Sequence, residues 1–397
     1  MKSNRRNFLR KSTSLAVLSA FGMGTSGMFG LSGCNKSHTA KSSGMEGNQK
    51  EVGWPITEEP DTPKLCAGIP LHAEKGDMRK LKQIGIDHVL MGGGPIPWQE
   101  NELRATIDRF GEEGLTVINM MIGGFPNTIY GREGRDREIE NILDSIRAAG
   151  AAGLPVIEYN FYAHRLMEGY YEAMGRGGAG HTAFDYKPVK DLPPRPEVGI
   201  HTSEELWANL TYFLEAVIPA AEQAGVRMAL HPNDPPVPVS HGSAQIMATL
   251  DDWKRLIETV DSPSNGITFD PGVTREMGED PVEVCRYFGT RDRINHAHYR
   301  NVLVEIPYIR YTEVFPDEGQ VDMFGVMREM IRVGYKHGIY PEHPRALDYD
   351  REHTGGIRGG YPGGGGYAGL TFNVAYARAM LQASLCLDEN HNNRKIQ

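Results

Sequence analysis

At 397 residues with 40% hydrophobic side chains, the chain can bury a full core, either as one large α/β barrel or as two smaller domains. Its net charge of −9, with no Lys/Arg-rich tract after the N-terminal leader, excludes the basic footprint that nucleic-acid binding needs. Beyond Cys34 only Cys66, Cys285 and Cys386 remain and no CxxC spacing occurs, which excludes a zinc knuckle and a disulfide framework and leaves them as small buried apolar residues.

The N-terminus reads as a targeting segment and is set aside from the fold. Asn4-Arg5-Arg6-Asn7-Phe8-Leu9-Arg10 and the Gly/Ser/Ala-rich run from Ser14 to about Leu31 resemble a twin-arginine export signal. Leu31-Ser32-Gly33-Cys34 resembles a lipobox, in which Cys34 would carry a lipid anchor. Residues 1–34 are therefore expected to be a lipoprotein signal and the protein to be exported, to the periplasm or as a membrane-anchored lipoprotein. The polar stretch over residues 35–60 reads as a flexible tether, and residues 61–390 as one catalytic domain.

From Leu65 the pattern is regular. Short β-type runs fall at Leu65–Ile69, His88–Met91, Thr116–Ile122, Pro155–Phe161, Arg227–His231, Gly266–Asp270, Ile294–Arg300 and Gly338–Glu342. Segments with helical spacing lie at roughly 77–84, 101–114, 135–151, 203–225, 249–260, 280–288, 321–336 and 368–386. Thr202-Ser203-Glu204-Glu205 offers a helix start, and Gly85, Gly114, Gly150 and Gly225 offer helix ends. Eight βα repeats whose strands lack strict alternation predict a closed (β/α)₈ TIM barrel of parallel strands. An open doubly wound sheet lacks its GxGxxG signature here. Three long connections, at 162–201, 302–320 and the glycine-rich 355–366, are expected to shape the site or act as lids. Backbone amides of the third would approach an anionic ligand.

Polar residues end four successive apolar runs: His231, Asp270, His298 and Glu342. Their spacings are 39 (231 to 270), 28 (270 to 298) and 44 (298 to 342), each about one βα unit. Two imidazoles and two carboxylates on neighbouring strand ends suit a divalent ion such as Mn²⁺, Fe²⁺, Co²⁺, Mg²⁺ or Zn²⁺. Such an ion, holding a carboxylate and an adjacent hydroxyl, would polarise the α-C–H for loss of its proton. His343 and Tyr361 are then acid/base candidates, with His343 reaching the cavity only if the chain has already turned after Pro341. Arg300 and Asn301 are candidates for the substrate's carboxylate and hydroxyls, or else ordinary loop anchors.

His231-Pro232-Asn233-Asp234-Pro235-Pro236, His298-Tyr299-Arg300-Asn301-Val302, Gly319-Gln320-Val321-Asp322-Met323 and Gly360-Tyr361-Pro362 resemble, in order and spacing, the signatures of mannonate dehydratases. Tyr159-Asn160-Phe161 is similar too. The resemblance runs from about residue 154 to 386. It implies a xylose-isomerase-like barrel that uses Mn²⁺, with Fe²⁺, Co²⁺ or Mg²⁺ as alternatives, to convert D-mannonate to 2-keto-3-deoxy-D-gluconate. It implies His231, His298 and Glu342 as ligands, His343 and Tyr361 as acid and base, and Asn160 and Asp234 beside Arg300 and Asn301 as substrate contacts. The chain departs from the family pattern where Asp270 stands for a cysteine and Glu342 for an aspartate. That carboxylate-rich set leaves a sugar isomerase or epimerase as the rival enzyme, and a non-catalytic carbohydrate-binding surface lipoprotein as the rival outside enzymes. A small sugar acid is the expected partner; a homo-oligomer is compatible with the sequence.

Overall fold

The computed structural model describes residue 56 and residues 58–353 and 360–388. The expected signal at 1–34, all of the tether but residues 56 and 58–60, and part of the glycine-rich run lie outside the described residues. Strands Lys64–Gly68, His88–Gly92, Thr116–Ile122, Val156–Tyr159, Arg227–Leu230, Asn265–Phe269, Ile294–His298 and Gly338–Tyr340 pair in chain order into a closed barrel. Every pairing is parallel, and Lys64 beside Gly338 closes the ring. The expected (β/α)₈ architecture is what forms. Asn265–Phe269 and Ile294–His298 are buried at every position, as strands must be when side chains fill the interior and helices cover the outside.

The strands from the fourth onward stop short of their sequence-expected ends, at Tyr159, Leu230, Phe269, His298 and Tyr340. Regular pairing stops at or within about one residue of these ends, beyond which side chains can turn into the mouth of the barrel. The helices follow their local signals closely. Thr202 and Glu205 form a reciprocal capping box on Ser203–Ala224, and Thr249 with Asp252 does the same for Leu250–Thr259. Gly150 departs from expectation. It lies within Arg135–Ala152, and Gly153, at φ 84°, ends that helix. Gly150 instead lets the helix approach the end of Ser203–Ala224, because a Cβ there would lie 2.4 Å from the Ala224 carbonyl oxygen.

The first two long connections fold together. Tyr170–Met174 and Gly180–Asp185, from the insertion after the fourth strand, join Asn301–Ile306 and Arg310–Val314, from the insertion after the seventh, in one antiparallel four-stranded sheet. Tyr170, Phe184, Tyr186 and Tyr311 form a second apolar cluster within it, and Arg310 pairs with Asp185 at 2.7 Å. Cys66 and Cys285 are buried free thiols and Cys386 is partly buried. Among the described residues no helix is long and apolar enough to cross a membrane.

Gly150→Ala is expected to cost about 1–3 kcal/mol in urea unfolding, since the two helix backbones must separate. Gly153→Ala meets no atom within 4 Å and should cost only about 1 kcal/mol, from its left-handed backbone alone.

Candidate functional site

The ladder continues one residue past two strands: His231 N–H donates to Tyr159 O (2.9 Å) and Tyr299 N–H to Tyr340 O (2.8 Å). This places His231 beside His298, with ring centroids 4.9 Å apart. Both line a cavity of about 290 Å³ that Glu342, His343 and Tyr361 also face. Neighbours on a strand would point opposite ways, yet Glu342 and His343 both reach it. The turn that the sequence required is present: Glu342 N–H folds back on Tyr340 O (2.8 Å), and His343 takes a left-handed φ of 45°. That conformation costs a non-glycine residue about 1–2 kcal/mol, a strain typical of functional positions.

The donor set fits a divalent cation. His298 Nδ1 and Glu342 Oε1 lie 2.8 Å apart, with Asp270 Oδ2 3.9 Å from the same nitrogen. All three residues are buried, and their ligand atoms fall within 4.8 Å of one another. His298 Nδ1 and Glu342 Oε1 are close without the alignment of a hydrogen bond, as two ligand atoms aimed at a common ion would be, and Arg300 Nε stands 3.4 Å from the same carboxylate oxygen. His231 Nδ1 lies 2.7 Å from Pro232 O. A carbonyl only accepts, so Nδ1 carries the proton and Nε2 holds the lone pair, the tautomer a metal-binding imidazole needs. Burial and the nearby His298 lower the His231 pKa and keep it neutral. Burial would lower His298 too, but Glu342, Glu158 and Asp270 overcome it and raise its pKa to about 9. An imidazole so surrounded reports a strongly anionic pocket.

Asp270 has a second task. Its Oδ1 accepts from Val273 N–H (3.0 Å) and so caps Pro271–Glu276, a short helix whose Asp-Pro start is a legible signal. Its Oδ2 accepts from Arg300 Nε at 2.9 Å. Of the two roles its position left open, Arg300 takes that of a buried anchor in this structure. It is 2% exposed, bonded to Asp270 and Glu276 (2.7 Å), and 3.5 and 3.4 Å from Asp234 and Glu342. Asn301 is likewise an anchor. Its amide donates to Pro316 O and Val321 O and accepts from Val302 and Val321 N–H. Asn160 rests against Met121 Sδ at 3.7 Å. Of the four expected substrate contacts, Asp234 is the one that lines the cavity.

Four residues went unnoticed in the sequence. Glu158, in the fourth strand, is buried on the cavity floor, accepting from Asn119 (3.0 Å) and Thr268 (2.9 Å) and 3.5 Å from His298 Nε2. A glutamate inside an apolar strand was its signal. His296, two residues before His298 and so on the same strand face, has both ring nitrogens buried and unpartnered. Arg165, from the first insertion, presents a partly exposed guanidinium to the cavity and is held by Asp234 (3.2 Å). Glu313, from the insertion sheet, holds His343 Nδ1 at 2.7 Å; these two had no local signal.

His343 and Tyr361 face each other with ring centroids 4.6 Å apart. Burial alone would lower the His343 pKa, but Glu313 and Glu342 raise it. Burial pushes the Tyr361 phenol far above its ordinary range, so it stays neutral and can give a proton.

These motifs have known counterparts. A model of the D-mannonate dehydratase (UxuA) family matches residues 199–384. A mannonate dehydratase from Thermotoga petrophila is 32% identical over 320 residues, which span 70% of this chain and 88% of that enzyme. The chain belongs to the mannonate dehydratase family. The crystal structure of a mannonate dehydratase from Streptococcus suis matches it with a TM-score of 0.72 at 26% identity, over 81% of this chain and 95% of that one. A xylose isomerase domain protein from Planctomyces limnophilus, 15% identical, shares the fold with a TM-score of 0.50 over 82% and 98% of the two chains. The barrel is thus xylose-isomerase-like, and the protein is an enzyme of the hydro-lyase class. In this mannonate dehydratase fold Arg300 compensates several buried carboxylates. Arg300→Met is therefore expected to lower unfolding stability by about 3–5 kcal/mol, read from denaturant midpoints, with Arg300→Lys giving only partial recovery because the forked geometry is lost.

Proposed function

We propose that this protein dehydrates D-mannonate to 2-keto-3-deoxy-D-gluconate with the help of a divalent ion, Mn²⁺ in the first instance. The observation that carries the reading is the pair His298 Nδ1 and Glu342 Oε1, buried 2.8 Å apart and unpaired in hydrogen-bond terms, at the wall of a cavity that also presents an acid/base pair. His231, Asp270, His298 and Glu342 would hold the ion. When bound it supplies Lewis-acid polarisation of the substrate's carboxylate and neighbouring hydroxyl, which acidifies the α-C–H.

The remaining tasks fall to side chains of the chain itself. Arg165, with its partly exposed guanidinium, receives the substrate's carboxylate, and Asp234 and Tyr170 hold Arg165 and Asp234 respectively in place (3.2 and 2.6 Å). His343 Nε2 takes the proton from the carbon next to the carboxylate, while Glu313 orients the ring through Nδ1. Tyr361 gives its proton to the hydroxyl on the adjacent carbon, and that C–O bond breaks to release water. The resulting enol then tautomerises to the 2-keto acid. Two groups 4.6 Å apart centroid to centroid are near enough to serve adjacent carbons of one substrate. Export and lipidation at Cys34 remain part of the proposal, supported by the twin-arginine and lipobox-like motifs.

Incubation of the metal-loaded enzyme with D-mannonate is expected to yield a 2-keto-3-deoxy acid, detected by periodate–thiobarbiturate assay. Absence of product from D-mannonate and other aldonates would sink the reading. His343→Gln and Tyr361→Phe should each lower kcat by about 10²–10⁴-fold with metal content unchanged, whereas Glu342→Ala should lose the metal. Arg165→Gln should raise KM for the acid by about 10–100-fold, the worth of a hydrogen-bonded charge, with a smaller effect on kcat.

A further inference from the structure

A second group of metal-type side chains lies outside the catalytic cavity. His164 and Glu168, on the first insertion, and His241, in the hairpin between Val239–Ser240 and Ser243–Ala244, each offer a ligand atom within 4.8 Å of the others. His241 Nδ1 lies 2.7 Å from Pro193 O. The carbonyl can only accept, so Nδ1 donates to it and Nε2 is the nitrogen turned to Glu168. It lies 3.1 Å from Glu168 Oε1. That separation is one that two ligand atoms of a single cation take, and it is also that of an imidazolium–carboxylate pair.

His164 completes the set. Its ring stands edge-on to His241 with centroids 4.4 Å apart, and its Nδ1 lies 3.0 Å from Ser240 Oγ. That bond orients the ring and leaves Nε2 available, the outer-sphere arrangement typical of ligating imidazoles. His241 is held at a left-handed φ of 48°, a conformation that surrounding interactions must impose on a non-glycine residue. Arg195 Nη2 also reaches Glu168 Oε1, at 2.6 Å. A carboxylate has about four acceptor positions, so the guanidinium and an ion can share it, although the arginine tempers affinity.

We propose that His164, Glu168 and His241 form a second metal site for a zinc-class divalent ion, with water in the open fourth position. Two imidazoles and one carboxylate are a ligand set of open tetrahedral zinc sites. The ion would cross-link the start of the first insertion to the 239–244 hairpin, two segments already joined by Gln245 Nε2 donating to His164 O (2.7 Å). Arg165, the residue after His164, is thereby fixed at the cavity. The site is a positioning element and takes no part in proton transfer.

The test is metal content of the full-length protein, stripped with chelator, dialysed against Zn²⁺ or Co²⁺ and measured by elemental mass spectrometry. His164→Ala and His241→Ala should each bind about one equivalent less than wild type, with circular dichroism unchanged, and should lose the visible absorption of tetrahedral Co²⁺. Glu342→Ala, which removes a ligand of the other centre, should retain that absorption, so failure at one centre is separable from failure at the other. Equal metal content in wild type and both histidine variants would overturn the proposal and identify the His241–Glu168 contact as an imidazolium–carboxylate ion pair. His241→Gln, closer in shape, gives the same readout if the alanine variant fails to fold.

Discussion

A single guanidinium, Arg300, sits almost fully buried with the carboxylates of Asp234, Asp270, Glu276 and Glu342 all within 3.5 Å of it. An isolated ion in such a place would not be tolerated, since desolvation costs several kcal/mol per charge. Here the one guanidinium is shared among four carboxylates, and the cluster spans the loop after the fifth strand, the end of the sixth, the seventh and the eighth. Barrel closure and the shape of the mouth are therefore tied to one ion cluster. Removing a carboxylate or its cation would loosen several strand ends together.

That cluster leaves surplus negative charge on its inner side. Glu158, Asp270 and Glu342 surround His298 and lift its pKa to about 9, although burial acts in the opposite sense. His231 nearby stays neutral, with its proton committed to the Pro232 carbonyl. The pocket thus combines excess carboxylate with available imidazole lone pairs, the electrostatic condition for holding a cation. Asp270 links the two regions: one oxygen caps a helix, while the other faces both Arg300 and His298. A single-atom donor such as a thiolate could not cap and pair in this way, so the two oxygens of Asp270 give it a structural role beside its place in the donor set.

The insertions act on the site from above. The four-stranded sheet brings Glu313 to His343 and Tyr170 to Asp234, and the segment before it brings Arg165 to the cavity. Barrel strands carry the candidate ligands, whereas the sheet carries groups that orient the proton-transfer and substrate-binding side chains. This division matches the general behaviour of the fold, in which strand ends supply rigid positions and loops tune the chemistry.

Much of this was legible in the residue order. Periodicity marked the strands and helices, and polar residues closing apolar runs marked His231, Asp270, His298 and Glu342, because both signals depend on near neighbours along the chain. Arg300 and Asn301 stayed open between two roles for the same reason: a charged or polar residue just past a strand end looks alike in sequence whether it faces substrate or is buried against a loop. The tertiary structure decided that choice, through carboxylates contributed by distant strands. It also decided that the insertions after the fourth and seventh strands share a sheet, since the Arg310–Asp185 pairing joins positions 125 residues apart. The sequence determined the barrel and its candidate ligands through local pattern. Which side chains face the cavity depends on long-range packing of buried charges, and that was settled only when the chain closed.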